Sequence, residues 1–289
     1  MIDIKITDVR PGLGDSGFLI DDGKTAILYD TGYAFRGEEL LYNVKRELGE
    51  RELDYIFLTH SHYDHALGAP YVLRHYKNAK VVAGAYAKTI FDKSTARAKM
   101  RELDRKYAAA CGVTEYEDLV DNLRVDIAVS DGDVVKCGDL SFTAVNLPGH
   151  TKCSVGFYLE ENKLLLATET LGAYFGEDTY LPLFLVGFKM TMDSFEKAKA
   201  LMPKSILVPH YGLIENDALS YLEASQAMSR KTALDIKAQL LAGKTLDEAI
   251  AYFKEQVYHG KVKAAYPIDA FNLNTGIMVD LIKRELLEE

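Results

Sequence analysis

The most informative stretch of this sequence is Thr59-His60-Ser61-His62-Tyr63-Asp64-His65. Four side chains that can bind a metal ion fall within six of its residues, in the pattern His-x-His-x-Asp-His. The preceding residues, 53–58, are apolar and rich in β-formers, which predicts a buried strand. The following residues, 66–73, predict the start of a helix. Because a strand-to-helix turn lets short side chains converge, the stretch predicts a metal site.

The alternative is a polar surface loop that is rich in histidine by chance. The chain has 7 histidines and 3 of them lie in this turn, which makes chance clustering a poor explanation. Imidazole and carboxylate ligands together suit zinc, iron or manganese. The run contains no thiolate, which argues against a structural cysteine-type zinc site.

The composition is that of an acidic globular chain. Its 289 residues suffice for one large domain or two small ones. The 34 basic and 43 acidic residues give a net charge of −9, which argues against nucleic acid or a membrane as partner. The 3 cysteines are too widely spaced for a disulfide framework, so we expect the reducing cytoplasm. The first residues alternate like a strand, unlike a signal peptide.

A glycine-rich stretch, Gly12-Leu13-Gly14-Asp15-Ser16-Gly17, has the spacing of a dinucleotide-binding loop. Such a loop must be followed by a helix whose N-terminus faces the pyrophosphate. The residues that follow, 18–29, instead predict a β-hairpin with a turn at Asp21-Asp22-Gly23-Lys24. We therefore predict turn glycines and no nucleotide site.

Three further candidate ligands follow predicted strands in the second half of the chain. His150 lies in the turn Leu147-Pro148-Gly149-His150-Thr151, Glu169 follows a second predicted hairpin, and His210 follows the strand 205–209. Each half thus has a hairpin, further strands, helices and candidate ligands at strand ends. Periodicity by itself indicates only a mixed α/β chain.

These motifs together resemble the signature of the metallo-β-lactamase superfamily, over roughly residues 1–215. The resemblance implies an α/β (α+β) fold, a four-layer αββα sandwich of two mixed β-sheets flanked by helices. We expect this core at residues 1–216. Residues 217–289 have helical apolar spacing, and we expect a helical extension that packs on the core rather than an independent domain.

The resemblance also implies two divalent metal ions, zinc first, with iron or manganese as alternatives. Three side chains would hold the first ion, three the second, and one would bridge them: His60, His62 and His150; Asp64, His65 and His210; and Glu169. The family usually has Asp in place of this Glu. Its extra methylene leaves three arrangements open: a bridge, a ligand to one metal, or a carboxylate turned away from a mononuclear site.

The implied function is a metal-dependent hydrolase in which a metal-bound hydroxide attacks a small ester, thioester, lactone, amide or phosphoester. Asp64 would accept or return a proton. Other residues expected near the metals are an acid that orients a ligand histidine and hydroxyls that stabilise an oxyanion: Asp30, and Tyr63, Tyr174 and Tyr211. The alternative on this scaffold is an iron-dependent oxidoreductase or dioxygenase. A third interpretation is metal binding without turnover.

Two segments without motifs have open interpretations. Segment 85–124 is polar and helix-prone, which indicates a solvated helical excursion, or else a lid or the surface of a homodimer. The apolar run 181–188 indicates a pocket wall or the core.

Two capping boxes are predicted at helix starts. Asp193 with Glu196 would begin one helix, and Thr245 with Glu248 would begin another.

Overall fold

The computed structural model describes residues 2–177 and 179–288, so Met1, Asp178 and Glu289 lie outside the described residues. The chain divides into two compact units. Unit 1 consists of Met1–Asn146 with Cys153–Leu166, and unit 2 of Leu147–Lys152 with Ala167–Glu289. In the described part of the chain, no helix has the length and apolar character that crossing a membrane requires.

Unit 1 contains a six-stranded mixed sheet. In spatial order its strands are β1 Lys5–Asp8, β2 Phe18–Asp21, β3 Ala26–Tyr29, β4 Tyr55–Leu58, β5 Lys80–Gly84 and β6 Ile127–Val129. The first three pair antiparallel and the pairs from β3 to β6 are parallel. The β2–β3 hairpin confirms the predicted hairpin, and the strand β2, rather than a helix, directly follows the glycine-rich loop.

Parallel neighbours need crossover connections, and helices supply them here. They are α1 Gly37–Leu48, α2 Tyr63–Ala66, α3 Ala69–His75, α4 Ala85–Phe91 and α5 Ser94–Ala110. On one face of the sheet, Ile56 and Leu58 share a buried cluster with α1 and α3 residues such as Val44 and Val72.

The opposite face of this sheet packs on the second group of strands in unit 1. These strands are antiparallel: β7 Val134–Cys137, β8 Leu140–Asn146, β9 Val155–Leu159 and β10 Leu164–Leu166. The ring of Phe57 lies 5.3 Å from Phe142 and 4.4 Å from Phe157, between centroids. Because side chains alternate along β4, Phe57 faces this layer while Ile56 and Leu58 face the helices.

Unit 2 combines short strands with the C-terminal helices. Its elements are β11 Ala173–Tyr174, β12 Tyr180–Leu181, α6 Phe188–Ala200, β13 Ser205–Val208, β14 Gly212–Ile214, α7 Ala218–Leu241, α8 Leu246–Val257, α9 Gly260–Ala265 and α10 Ile268–Leu286. Leu183 and Phe184 of the apolar run are buried in one cluster with residues of α7, α8 and α10. The predicted α/β fold class, with β-sheets flanked by helices, is confirmed. The boundary between residues 216 and 217 stays a prediction.

Of the two predicted capping boxes, one is confirmed and one is wrong. The Thr245 hydroxyl accepts from Glu248 N, and Glu248 Oε2 accepts from Thr245 N at 2.8 Å. Asp193 lies inside α6, which begins at Phe188. This earlier start is stabilised by Glu285, whose Oε2 accepts from the backbone N of Phe188 at 3.0 Å and of the next residue at 3.2 Å.

Candidate metal centre

In unit 1 the candidate ligands are gathered at the end of β4. They are His60, His62, Asp64 and His65. The His60 ring centroid lies 4.6 Å from that of His62 and 4.1 Å from that of His65, although His65 is five residues further on. The short helix α2 reverses the chain after His62 and brings His65 back against His60, both fully buried.

Asp30 fixes this arrangement from the end of β3. Its Oδ2 lies 2.7 Å from His65 Nδ1, and its Oδ1 accepts from Thr59 N at 2.9 Å. The residue has φ 55°, a left-handed conformation that is uncommon outside glycine. Such backbone strain is often found at functional sites. Because a carboxylate only accepts, His65 Nδ1 is the donor, and the neutral ring carries its lone pair on Nε2.

Thr59 orients the His60 ring through a similar hydrogen bond. The Thr59 hydroxyl lies 2.9 Å from Asp30 Oδ2 and 2.9 Å from His60 Nδ1. It has a single proton, which it donates to the carboxylate, so it accepts from His60 Nδ1. His60 therefore also carries its lone pair on Nε2. The sequence offered one signal for Thr59, a hydroxyl residue directly before the motif, but its role was not predicted.

In unit 2 the candidate ligands are His150, Glu169 and His210. The His150 ring is oriented by the backbone, since its Nδ1 donates to Leu183 O at 3.0 Å. Its own N–H donates to Thr170 Oγ1 at 3.1 Å. No sequence pattern links Leu183 to His150, so this support could not be predicted.

Glu169 presents one carboxylate oxygen to each of the two candidate histidine ligands of unit 2. Oε2 lies 2.9 Å from His150 Nε2, and Oε1 lies 3.5 Å from His210 Nε2. Glu169 is 4% exposed and begins a 3-10 turn, and His210 follows β13 in a left-handed conformation at φ 63°. Ala167 N donates to Leu207 O at 2.9 Å, which ties the two segments together.

The chemistry of these donors fits divalent metal ions. Three histidines have Nδ1 occupied by hydrogen bonds to protein oxygens, the outer-sphere arrangement typical of metal-binding imidazoles. A lone pair on His150 Nε2 facing a carboxylate oxygen needs a shared cation or proton between them. Two atoms that bind one zinc ion at about 2.1 Å from the metal lie about 3.4 Å apart. The Glu169–His210 separation of 3.5 Å matches this value, and the Glu169–His150 separation of 2.9 Å is shorter.

The other predicted site residues lie in aromatic contacts. The Tyr63 ring lies 5.7 Å from that of Tyr33. In unit 2 the Tyr174 and Tyr211 rings meet edge to face at 4.5 Å, and Tyr211 is 38% exposed. The role of these tyrosines as oxyanion donors stays a prediction.

Substituting Asp30 by asparagine is expected to weaken metal binding about 10- to 100-fold, the range for outer-sphere partners of metal ligands. The asparagine would keep its carbonyl on Thr59 N and turn its NH2 group toward His65 Nδ1. His65 would then carry its proton on Nε2, where it blocks a metal. Competition with a chromogenic chelator measures the affinity.

The control for this variant is Asp92→Asn, since Asp92 is exposed and pairs with Lys88. We expect parental metal affinity in the control. An Asp30→Asn protein that binds metal as tightly as the parent would contradict the assigned tautomer.

Comparison with known proteins places these features in a family. The model of the metallo-beta-lactamase superfamily matches residues 10–210. A metallo-beta-lactamase fold-containing protein of Sulfurisphaera tokodaii is 26% identical over 208 residues, 69% of this chain and 76% of that protein. A hydroxyacylglutathione hydrolase of Nitrobacter winogradskyi is 33% identical over 105 residues, only 35% of this chain and 37% of that enzyme.

Among solved structures, a metallo-beta-lactamase family protein of Thermus thermophilus has the same fold. The similarity covers 98% of this chain and 93% of that one, at a TM-score of 0.66 and 20% sequence identity. The family model spans well over half of the sequence and includes every candidate ligand from His60 to His210. The chain therefore belongs to the metallo-beta-lactamase superfamily.

Proposed function

We propose that this protein is a metal-dependent hydrolase of a small ester or thioester and that it uses two divalent metal ions, zinc first. Three residues would hold one ion, three the other, and one would bridge: His60, His62 and His150; Asp64, His65 and His210; and Glu169. Thioesters rank first because one relative is named for the hydrolysis of a hydroxyacylglutathione, which is a thioester. Lactones, amides and phosphoesters belong to the same panel.

The observation that carries this proposal is the position of the Glu169 carboxylate. Its two oxygens each face a different imidazole Nε2, at 2.9 and 3.5 Å. If the carboxylate bound a single ion or turned away from the site, its second oxygen would not have to face another imidazole. The geometry therefore favours a bridge, in spite of the extra methylene relative to Asp, and two ions suit hydrolysis.

Bound divalent ions would lower the pKa of water toward about 7 and polarise the scissile carbonyl. The protein positions the rest. Asp64 is partly exposed, with Oδ2 3.8 Å from His65 Nε2, and would take the proton of the attacking water and return it to the leaving group. Asp30 and the Leu183 carbonyl hold the His65 and His150 rings so that each can bind a metal through Nε2.

Elemental analysis of protein purified without chelator or added metal tests the proposal. About two zinc or manganese ions per chain are expected, together with chelator-sensitive hydrolysis of at least one class in the panel. His60→Ala should lose both, whereas the control His75→Ala, an exposed histidine outside the ligand set, should keep both. One iron per chain with oxygen-dependent turnover would favour the oxidoreductase alternative. Protein that stays metal-free after reconstitution would overturn the proposal.

A further inference from the structure

Helix α5 has a carboxylate in the middle of its buried face. Its buried residues, Met100, Asp104 and Ala108, follow one another at intervals of four and lie on one side of the helix. Asp104 is 0% exposed. Acidic side chains are almost never fully buried unless they are paired or hydrogen-bonded, because desolvating a charge is costly. What Asp104 binds therefore indicates why an acid is there.

Asp104 binds the 3-10 turn Ala34–Arg36, which follows β3. Its Oδ1 accepts from Ala34 N at 2.9 Å, and its Oδ2 accepts from the Tyr116 hydroxyl at 2.5 Å. Burial raises the pKa of the Asp104 carboxyl to about 6, so the group is still ionised at neutral pH. The first N–H groups of a helical turn lack partners within the turn. Asp104 supplies such a hydrogen-bond partner to Ala34 N from α5, 70 residues away in the sequence.

The same turn ends the loop that supports the metal ligands of unit 1. We call residues 30–36 the support loop. At its start, Asp30 holds the His65 ring, and Thr31 donates to His65 O from both N, at 2.8 Å, and Oγ1, at 2.9 Å. At its end, Asp104 holds Ala34. The support loop is therefore fixed at one end by α2, which carries His65, and at the other end by α5.

An aromatic contact joins the same two elements through the middle of the support loop. The Tyr33 ring lies 4.9 Å from Tyr107 of α5 and 5.7 Å from Tyr63, which stands between His62 and Asp64. Tyr33 is 5% exposed, so it packs between them rather than facing solvent. Segment 85–124 therefore contacts the support loop through both a hydrogen bond and a ring contact to Tyr33, while the rest of its central helix is largely exposed, as expected of a solvated helix.

We propose that Asp104 is a positioning residue for the metal centre. By holding the Ala34 end of the support loop, it fixes Asp30 against His65 and so sets the affinity for the ion held by Asp64 and His65. The inference rests on the proposed function insofar as that function needs metal. It predicts that a residue which touches no ligand changes metal affinity.

The test compares three variants of the full-length, zinc-loaded protein. Asp104→Ala removes both acceptors and should weaken the binding of one of the two ions, the one held by Asp64 and His65, about tenfold, the low end of the range for outer-sphere partners. Asp104→Asn keeps an acceptor for Ala34 N and a polar contact to Tyr116, so its affinity should return to within about threefold of the parent. The control is Glu102→Ala, since Glu102 is an exposed acid on the same helix. This variant should keep the metal affinity of the parent.

Three readouts separate positioning from simple destabilisation. Chelator competition gives both metal dissociation constants, the visible spectrum of the cobalt-substituted protein reports ligand geometry, and the melting temperature of the metal-free protein reports stability. We expect a lower affinity and a shifted spectrum in Asp104→Ala, with rescue by asparagine. A lower melting temperature with parental affinities and spectrum would make Asp104 merely structural and overturn the inference.

Failure of the proposed function would look different. A parent protein that binds no metal would overturn both proposals. A parent that binds two ions but hydrolyses nothing in the panel would contradict only the hydrolase assignment, since metal affinities still test Asp104.

Discussion

Glu169→Gln protein is expected to hold about one metal ion per chain instead of two and to lose hydrolytic activity at least roughly 100-fold. Outer-sphere substitutions alone cost about 10- to 100-fold, and the amide replaces a proposed ligand. The glutamine keeps an oxygen on the side of one imidazole but places an NH2 group on the side of the other. This NH2 group cannot bind a metal. Metal content and initial rates on the best substrate of the panel measure both effects.

Two companion variants sharpen this result. Glu223→Gln, an exposed residue of α7, is the control and should behave as the parent does. Glu169→Asp restores the residue that the family usually has, but in a backbone that places the longer side chain 2.9 Å from His150 Nε2. For Glu169→Asp we expect a metal content between about one and two ions per chain. Two tightly bound ions in Glu169→Gln would refute the bridging role.

Gly68→Ala is expected to destabilise the protein by about 3 kcal/mol or more, beyond the usual cost of overpacking. A Cβ at Gly68 would lie 2.0 Å from Thr31 O. That carbonyl cannot retreat easily, because Thr31 N donates to His65 O and Gly68 N donates to Gly32 O. Relief of the clash must therefore move the support loop, so metal binding should weaken as well. The melting temperature should fall by about 6–12 °C.

Gly276→Ala in α10 is the matched control for this variant. The nearest atom to a Cβ there is Ile250 Cδ1 at 3.6 Å, an ordinary contact. An alanine in a helix interior is favoured over glycine by about 0.5–1 kcal/mol, so this control should be slightly more stable than the parent. A Gly68→Ala protein with parental melting temperature and metal affinity would show that the loop yields without cost.

Local sequence patterns predicted the parts of the fold that local forces determine. The hairpin at 18–29, the strand before His60 and the capping box at Thr245 follow from alternation, turn residues and a four-residue motif, and all three are present. The start of α6 was mispredicted because its cap is Glu285, almost a hundred residues away. A cap of that kind leaves no mark near the helix it begins.

The candidate site divides along the same line. The metal-binding residue types were visible in sequence because they cluster in short motifs after strands. The groups that orient them were not, apart from Asp30. Thr59 acts through the single proton of its hydroxyl, Leu183 acts through its backbone carbonyl, and Asp104 sits in a helix whose charged sequence resembles any exposed surface. Only tertiary structure assigns such roles.

The path of the chain between its two units has a consequence for protein engineering. The chain passes from one unit to the other three times, after Asn146, after Lys152 and after Leu166. No single cut therefore yields either unit whole. A fragment that begins at Ala167 would lack Leu147–Lys152, and with it the imidazole beside Glu169. Separate expression of unit 2 requires a genetic fusion that rejoins this six-residue piece to the rest, and limited proteolysis at one site should leave both products incomplete.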